Sequence, residues 1–245
     1  VPLAGKENVM NRIRKLFGNF TKGELLLWGI SVFTIVFSFF VLDSSGNYLS
    51  LAASLIGATS LIFSAKGNPL GPFFAIFFSI LYGIISYSFA YYGEMITYLG
   101  MTGPMAVFAL ISWLRNPYSN EKTEVKVNTI GKTEVILMSV AAVAVTVLFY
   151  FILKAFDTSN LVPSTISVTT SFLAVYLTFR RNEFYAVAYA ANDVILIILW
   201  GLATISDISY LSVTICFVIF LANDIYGFVS WSKMKKRQSV NAQMS

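Results

Sequence analysis

Two Asn-Asp pairs lie within long apolar stretches of the sequence, Asn192-Asp193 and Asn223-Asp224. Polar side chains at such positions are costly in a membrane and usually face a cavity or a polar partner. An asparagine amide both donates and accepts hydrogen bonds, and a neighbouring carboxylate favours a positively charged ligand. The sequence leaves open the alternative that these four side chains only fasten helices to one another.

Aromatic residues recur near both pairs at helical spacing. Tyr189, Asn192 and Trp200 fall on one stripe of the seventh apolar stretch. Tyr226 follows Asn223 by three residues and therefore shares its helix face. Tyrosine and tryptophan supply flat apolar faces with a polar edge. Together with the amides, they predict a slot for a planar, neutral to cationic heterocycle that carries hydroxyl groups.

The elements that position these side chains are predicted to be membrane-spanning helices. Of 245 residues, 57% are hydrophobic and only 12% are charged, against about 25% charged in soluble domains. A water-soluble fold is therefore excluded, and the fold class is an all-α integral membrane protein with about eight transmembrane helices. The apolar stretches lack the alternation of polar and apolar residues that is typical of barrel strands. The predicted spans are 25–42, 49–65, 71–92, 94–113, 135–153, 161–179, 184–205 and 208–231.

Basic residues are distributed unevenly between the two predicted faces of the membrane. All lysines and arginines except Lys154 fall on one face, so the positive-inside rule places both termini in the cytoplasm. The basic tail 234–245 is interpreted as a topology signal and not as a nucleic-acid site, and residues 1–24 are predicted to form a basic cytoplasmic arm. For the arm, a solvated segment and an amphipathic helix on the anionic inner leaflet both remain possible.

The sequence contains an internal repeat. After a shift of 118 residues the third and fourth predicted helices align without a gap with the seventh and eighth, so that Tyr82 falls on Trp200 and Trp113 falls on Trp231. Tyr82 thereby becomes a candidate cavity wall. Trp113 and Trp231 both end a predicted span near basic residues, and we interpret them as members of an interfacial aromatic belt.

The repeat predicts how the chain is organised. An extra N-terminal helix and two three-helix units with a linking helix between them make a 3+1+3 arrangement, whose single linking helix makes the repeats parallel. Parallel repeats build transporters that hold substrate near the middle of the membrane. The predicted segments are the extra helix 25–42, the first unit 49–115, a cytoplasmic loop 116–134, the linking helix 135–153 and the second unit 161–233.

The residues from Asn223 to Tyr226 form an NxxY motif, which together with Asn192 and Trp200 resembles the PnuC transporters of bacterial vitamin B3 uptake. The extra helix and 3+1+3 repeat are also similar to that family's full-length SWEET-like architecture. The resemblance implies a homotrimer in the bacterial inner membrane that takes up nicotinamide riboside by facilitated diffusion, with phosphorylation in the cytoplasm trapping the substrate. It implies ligand contacts by Asn192, Trp200, Asn223 and Tyr226.

One departure from the family pattern concerns substrate identity. The nicotinamide riboside members commonly carry WxxW on the penultimate helix, whereas this chain has Ile197 in place of the first tryptophan. The resemblance therefore leaves open a sister specificity, a thiamine or deoxynucleoside carrier.

Three further alternatives follow from the residues. A proton-coupled carrier would use Asp193 or Asp224 as its titrating group. An intramembrane enzyme would need a nucleophile and a base, and a chain with no histidine and the single Cys216 offers only carboxylates. A structural subunit would use the Asn-Asp pairs only to join helices. We expect a transporter that is not an enzyme, with no cofactor and no metal.

Overall fold

The computed structural model of the protein describes residues 20–42, 48–88, 91–118, 123–158 and 160–244. Eight helices in these residues are long and apolar enough to cross a membrane, as predicted. Most of the predicted basic arm, residues 1–19, lies outside the described residues. The helices are α1 Lys22–Leu42, α2 Tyr48–Ala65, α3 Leu70–Ser88, α4 Tyr92–Arg115, α5 Lys132–Ala155, α6 Leu161–Phe179, α7 Tyr185–Ser206 and α8 Leu211–Met244.

The last helix is much longer than the predicted span. The described residues of the predicted tail continue α8 to Met244, because this extension has a packing partner in the loop between α4 and α5. The Gln238 side chain donates to the Val125 carbonyl (3.0 Å) and accepts from the Val127 backbone N–H (2.8 Å). The helix therefore runs well past the end of the predicted span 208–231 and includes residues 234–244 of the predicted basic tail.

The turn between the first and second helices is similar in the two three-helix units. Gly67 between α2 and α3 and Arg181 between α6 and α7 both adopt left-handed backbone angles, with φ of 63° and 57°. The asparagine that follows each of them accepts a hydrogen bond from the backbone N–H two residues later, at 2.9 Å for Asn68 and 3.1 Å for Asn182. Two copies of one structural unit would produce this correspondence.

The central helices come from both units, and the remaining two lie outside them. The units meet through contacts of α2 with α8 and of α4 with α6, while α1 packs on α2 and α8 and α5 packs on α6. Large apolar side chains on α1 and α5 stay exposed, which suits a lipid-facing surface; they include Phe33, Phe37, Phe40, Ile136, Leu137 and Val143.

A glycine lets the end of α2 and the start of α3 approach each other closely. A Cβ atom at Gly71 would lie 2.7 Å from the Ser64 backbone nitrogen and 2.8 Å from its Cα. The Gly71 carbonyl also accepts a hydrogen bond from the Ser60 hydroxyl at 2.8 Å. The backbone atoms of Ser64 cannot rotate away, so any side chain at this position forces the helices apart.

We therefore expect Gly71→Ala to destabilise the protein by about 1–3 kcal/mol, the usual range for overpacking. The measurement is the midpoint of thermal unfolding in detergent. The matched control is Gly201→Ala in α7, where a Cβ would meet nothing within 4 Å and better helix propensity should leave stability equal or higher. Equal midpoints for both variants would contradict the close approach of α2 and α3.

Candidate functional site

A cavity lies between the two three-helix units, lined by α2, α3, α4, α6, α7 and α8. It offers about 70 Å³ to the centres of water molecules, several times the ~10–15 Å³ that a single water needs. Of the eight predicted site residues, four line it: Tyr189, Asn192 and Asp193 on α7, and Asp224 on α8. The other lining side chains are mainly apolar or aromatic, and none of the lining residues is basic.

Asn192 is oriented by hydroxyl groups of the neighbouring helix α6. Its Oδ1 accepts hydrogen bonds from Thr170 (2.8 Å), Ser171 (3.0 Å) and Ser167 (3.3 Å). Three hydroxyl groups around one oxygen hold the Asn192 side chain against α6. In the cavity wall, the Tyr98 hydroxyl is a polar neighbour of the Asn192 amide.

Asp193 and Asp224 form a carboxyl pair in the wall of the cavity. Asp193 is 4% exposed and Asp224 is 3% exposed, and the two side chains lie within hydrogen-bonding reach of each other. Asp193 Oδ2 has no hydrogen-bond partner among the described residues. Two buried carboxyls without a basic neighbour attract a cation, either a proton or a positively charged ligand.

Two tryptophans lie behind one end of the cavity, where Ser64, Thr178 and Tyr185 line it. We call this the basic end, since Lys66, Arg115, Arg180, Arg181 and Lys233 lie there. The indole N–H of Trp113 donates to the Thr178 carbonyl, and that of Trp231 donates to the Ser64 carbonyl, both at 2.8 Å. Each unit thus supplies a tryptophan to the other unit's first helix.

The predicted interfacial belt is therefore wrong for both residues. Trp113 and Trp231 are each 0% exposed, and their ring centroids lie 5.4 Å apart. They are buried because two repeat-related positions meet where the units face each other, which a single helix cannot reveal. We call this pair the tryptophan latch.

An aromatic lid of Tyr82, Tyr91, Tyr98 and Trp200 covers the other end of the cavity. The Trp200 indole donates to the Tyr82 hydroxyl at 2.6 Å, joining two positions that the repeat relates to each other. The Tyr82 and Tyr98 ring centroids lie 4.5 Å apart, and those of Tyr91 and Trp200 lie 4.8 Å apart. Tyr98 lines the cavity, whereas Tyr82 and Trp200 lie behind it.

The NxxY residues face the extra helix α1 and not the cavity. Asn223 Nδ2 donates to the Ser31 hydroxyl at 3.0 Å, and the Tyr226 hydroxyl donates to Glu24 Oε1 at 3.0 Å. Glu24 also pairs with Lys66 at 2.8 Å. The structure thus does not bring Asn223 and Tyr226 to the cavity, because the face they share on α8 is turned by about a quarter turn or more from the face that carries Asp224.

Sequence reasoning missed several side chains that build the site. The hydroxyls of Ser167, Thr170 and Ser171 hold Asn192, and Tyr98 and Tyr185 line the cavity. The signal that could have revealed the first three is their spacing, since residues three or four apart share a helix face. A stripe of small hydroxyl residues in an apolar helix indicates a polar partner.

Comparisons with known proteins agree with this architecture. A family model described as nicotinamide mononucleotide transporter matches residues 47–233. The nicotinamide riboside transporter PnuC of Neisseria mucosa is 27% identical over 92% of this chain and 87% of its own length. The PnuC of Haemophilus influenzae is 21% identical over 92% of this chain and 97% of its own length.

The fold matches a solved structure as well. A crystal structure of the vitamin B3 transporter PnuC superposes with a TM-score of 0.77 and 26% identity, covering 97% of this chain and all of the other. The family model spans the whole region that carries the cavity, the tryptophan latch and the aromatic lid. The protein is therefore a multi-pass membrane protein that belongs to the PnuC-type family described as nicotinamide mononucleotide transporters.

Proposed function

We propose that the protein carries nicotinamide riboside across the bacterial inner membrane by facilitated diffusion. The observation that carries the proposal is the cavity between the two units. The Asn192 amide and the carboxyl groups of Asp193 and Asp224 line it, and none of its lining residues is basic. The names of the relatives supply the substrate. The excess of basic residues at the basic end favours a cytoplasmic position for that end and for both termini.

The chemistry of the cavity suits this substrate. Nicotinamide riboside carries a fixed positive charge on its pyridinium ring, a carboxamide and the ribose hydroxyls. The Asp193–Asp224 pair offers negative charge for the ring, and Asn192 offers amide donors that α6 already orients. Tyr98, Tyr185 and Tyr189 supply aromatic faces around them. Trp200 and Tyr82 would stack on the substrate only after the aromatic lid rearranges.

Alternating access would use the two closures in turn. Rocking the units apart at the basic end breaks the hydrogen bonds of Trp113 to α6 and of Trp231 to α2, while separation at the other end breaks the bond between Trp200 and Tyr82. No step of this cycle needs an energy source, so cytoplasmic phosphorylation of the substrate would drive net uptake. A homotrimer stays a prediction from the family resemblance, which native mass spectrometry in detergent can test.

The test is counterflow of labelled nicotinamide riboside in proteoliposomes that contain the purified protein and no kinase. We expect saturable exchange of label with no net accumulation of nicotinamide riboside, and competition by unlabelled nicotinamide riboside but not by thiamine or deoxynucleosides. If only thiamine or a deoxynucleoside competed, the proposal that nicotinamide riboside is the substrate would be wrong, whereas the proposed transport mechanism would stand. Absence of exchange with every ligand would contradict a carrier function and favour a structural subunit.

The carboxyl pair favours a second candidate, a proton-coupled carrier. Asp193 and Asp224 are adjacent and buried, an arrangement that can hold one proton between two carboxylates. Imposing an inward proton gradient on the same vesicles separates the candidates, because a coupled carrier would accumulate nicotinamide riboside above its external concentration. A protonophore would abolish that accumulation, whereas facilitated diffusion would not change.

A further inference from the structure

Glu94, near the start of α4, carries a buried carboxyl group. It is neither one of the eight predicted site residues nor one of the residues that line the cavity. It is 1% exposed, and neither of its carboxyl oxygens has a hydrogen-bond partner among the described residues. Ser167 of α6 is its polar neighbour, without a hydrogen bond of normal geometry. Burying an ionised carboxyl group in such surroundings costs several kcal/mol of desolvation free energy. A bound cation or water molecule would lower this cost.

The position of Glu94 places it inside the aromatic lid. It precedes Tyr98 by four residues, about 6 Å along the helix axis, on the side away from the basic end. The hydroxyls of Tyr82, Tyr91 and Tyr98 all lie within its electrostatic range. Opening the lid would therefore expose Glu94 before it exposes the Asp193–Asp224 pair.

The other polar groups around Glu94 are hydroxyls and not bases. Thr97 lies on the same helix, and Thr158 and Ser164 pack against Gly93, the residue before it. The hydroxyls of Thr97 and Thr158 have no hydrogen-bond partner among the described residues. No Lys or Arg of the described chain forms an ion pair with Glu94, while all four ion pairs found lie elsewhere.

We propose that Glu94 is the first binding contact for the cationic ring of the substrate, a charge-selecting site in the aromatic lid. This proposal rests on the proposed transport of nicotinamide riboside. A fixed cation that enters a low-dielectric path needs a counter-charge at each stage. Glu94 in the lid and the Asp193–Asp224 pair in the cavity supply these stages in sequence. The site selects a pyridinium nucleoside over neutral nucleosides of the same shape.

The experiment varies the charge on both partners. Oxidised nicotinamide riboside is a cation, and its reduced dihydropyridine form has nearly the same shape without the charge. Initial uptake into proteoliposomes at limiting substrate is measured for both forms with wild type and Glu94→Gln. We expect the variant to lose about 10-fold in uptake of the cation, a typical electrostatic effect on association, and to take up the reduced form within twofold of wild type.

The matched control is Asp207→Asn, which removes one negative charge in the loop after α7, on the same side as Glu94 but exposed to solvent. This substitution should change the initial uptake of neither the oxidised nor the reduced form. Equal loss of both forms by Glu94→Gln, or loss of neither, would overturn the charge-selecting role. If Glu94→Gln does not fold, Glu94→Asp keeps the charge and must keep the preference for the cation. Absence of cation uptake by wild type itself would instead overturn the proposed function.

Discussion

Replacing Asn192 with alanine is expected to weaken binding of nicotinamide riboside about 30-fold or more, about 2 kcal/mol. The amide lies in the cavity wall, where three hydroxyl groups of α6 hold it through its Oδ1. Its removal also takes the amide donors from the cavity wall, so the substrate group they bind becomes unsatisfied. The measurement is calorimetric titration of the purified protein in detergent.

Asn223→Ala is the matched control for this prediction. Asn223 belongs to the same residue type and is equally buried, but its amide bonds to Ser31 of α1. It should retain affinity within a few fold while lowering the unfolding midpoint. If Asn223→Ala weakened binding as much as Asn192→Ala, the NxxY face would belong to the binding site, as the family resemblance implies, and the cavity assignment would be wrong.

Replacing Trp113 with alanine should destabilise the protein by about 3–5 kcal/mol, the range for deleting a buried large aromatic side chain. Trp113 is 0% exposed, contacts Trp231 and donates to the Thr178 carbonyl. The substitution removes half of the tryptophan latch, so the basic end should also open more readily. Thermal unfolding in detergent measures the first effect.

Modification of a cysteine introduced at Ala109, which lines the cavity, measures the opening. A membrane-impermeant thiol reagent added from the basic end should react faster when Trp113→Ala is present. Trp28→Ala is the control for stability, since Trp28 on α1 is only partly buried and bonds Thr59 at 3.3 Å. Equal unfolding midpoints for the Trp113 and Trp28 variants would refute the latch.

The sequence by itself determined the membrane class and the number of spans, and it predicted an internal repeat. These depend on composition and on hydrophobic length, which each segment carries locally, because roughly 20 apolar residues are needed to cross the bilayer whatever their neighbours are. The Asn-Asp pairs were likewise visible, since a polar side chain in an apolar stretch requires a partner. Three of these four side chains do line the cavity: Asn192, Asp193 and Asp224.

Only the tertiary structure decided which faces of those helices look inward. Asn223 and Tyr226 share a helix face as predicted, yet that face meets α1, because α1 supplies Ser31 and Glu24 as polar partners. The two tryptophans predicted at the membrane interface meet each other in the interior. Glu94 carried no signal beyond its position at the start of a span. Helix rotation depends on packing against distant segments, and a local pattern cannot encode it.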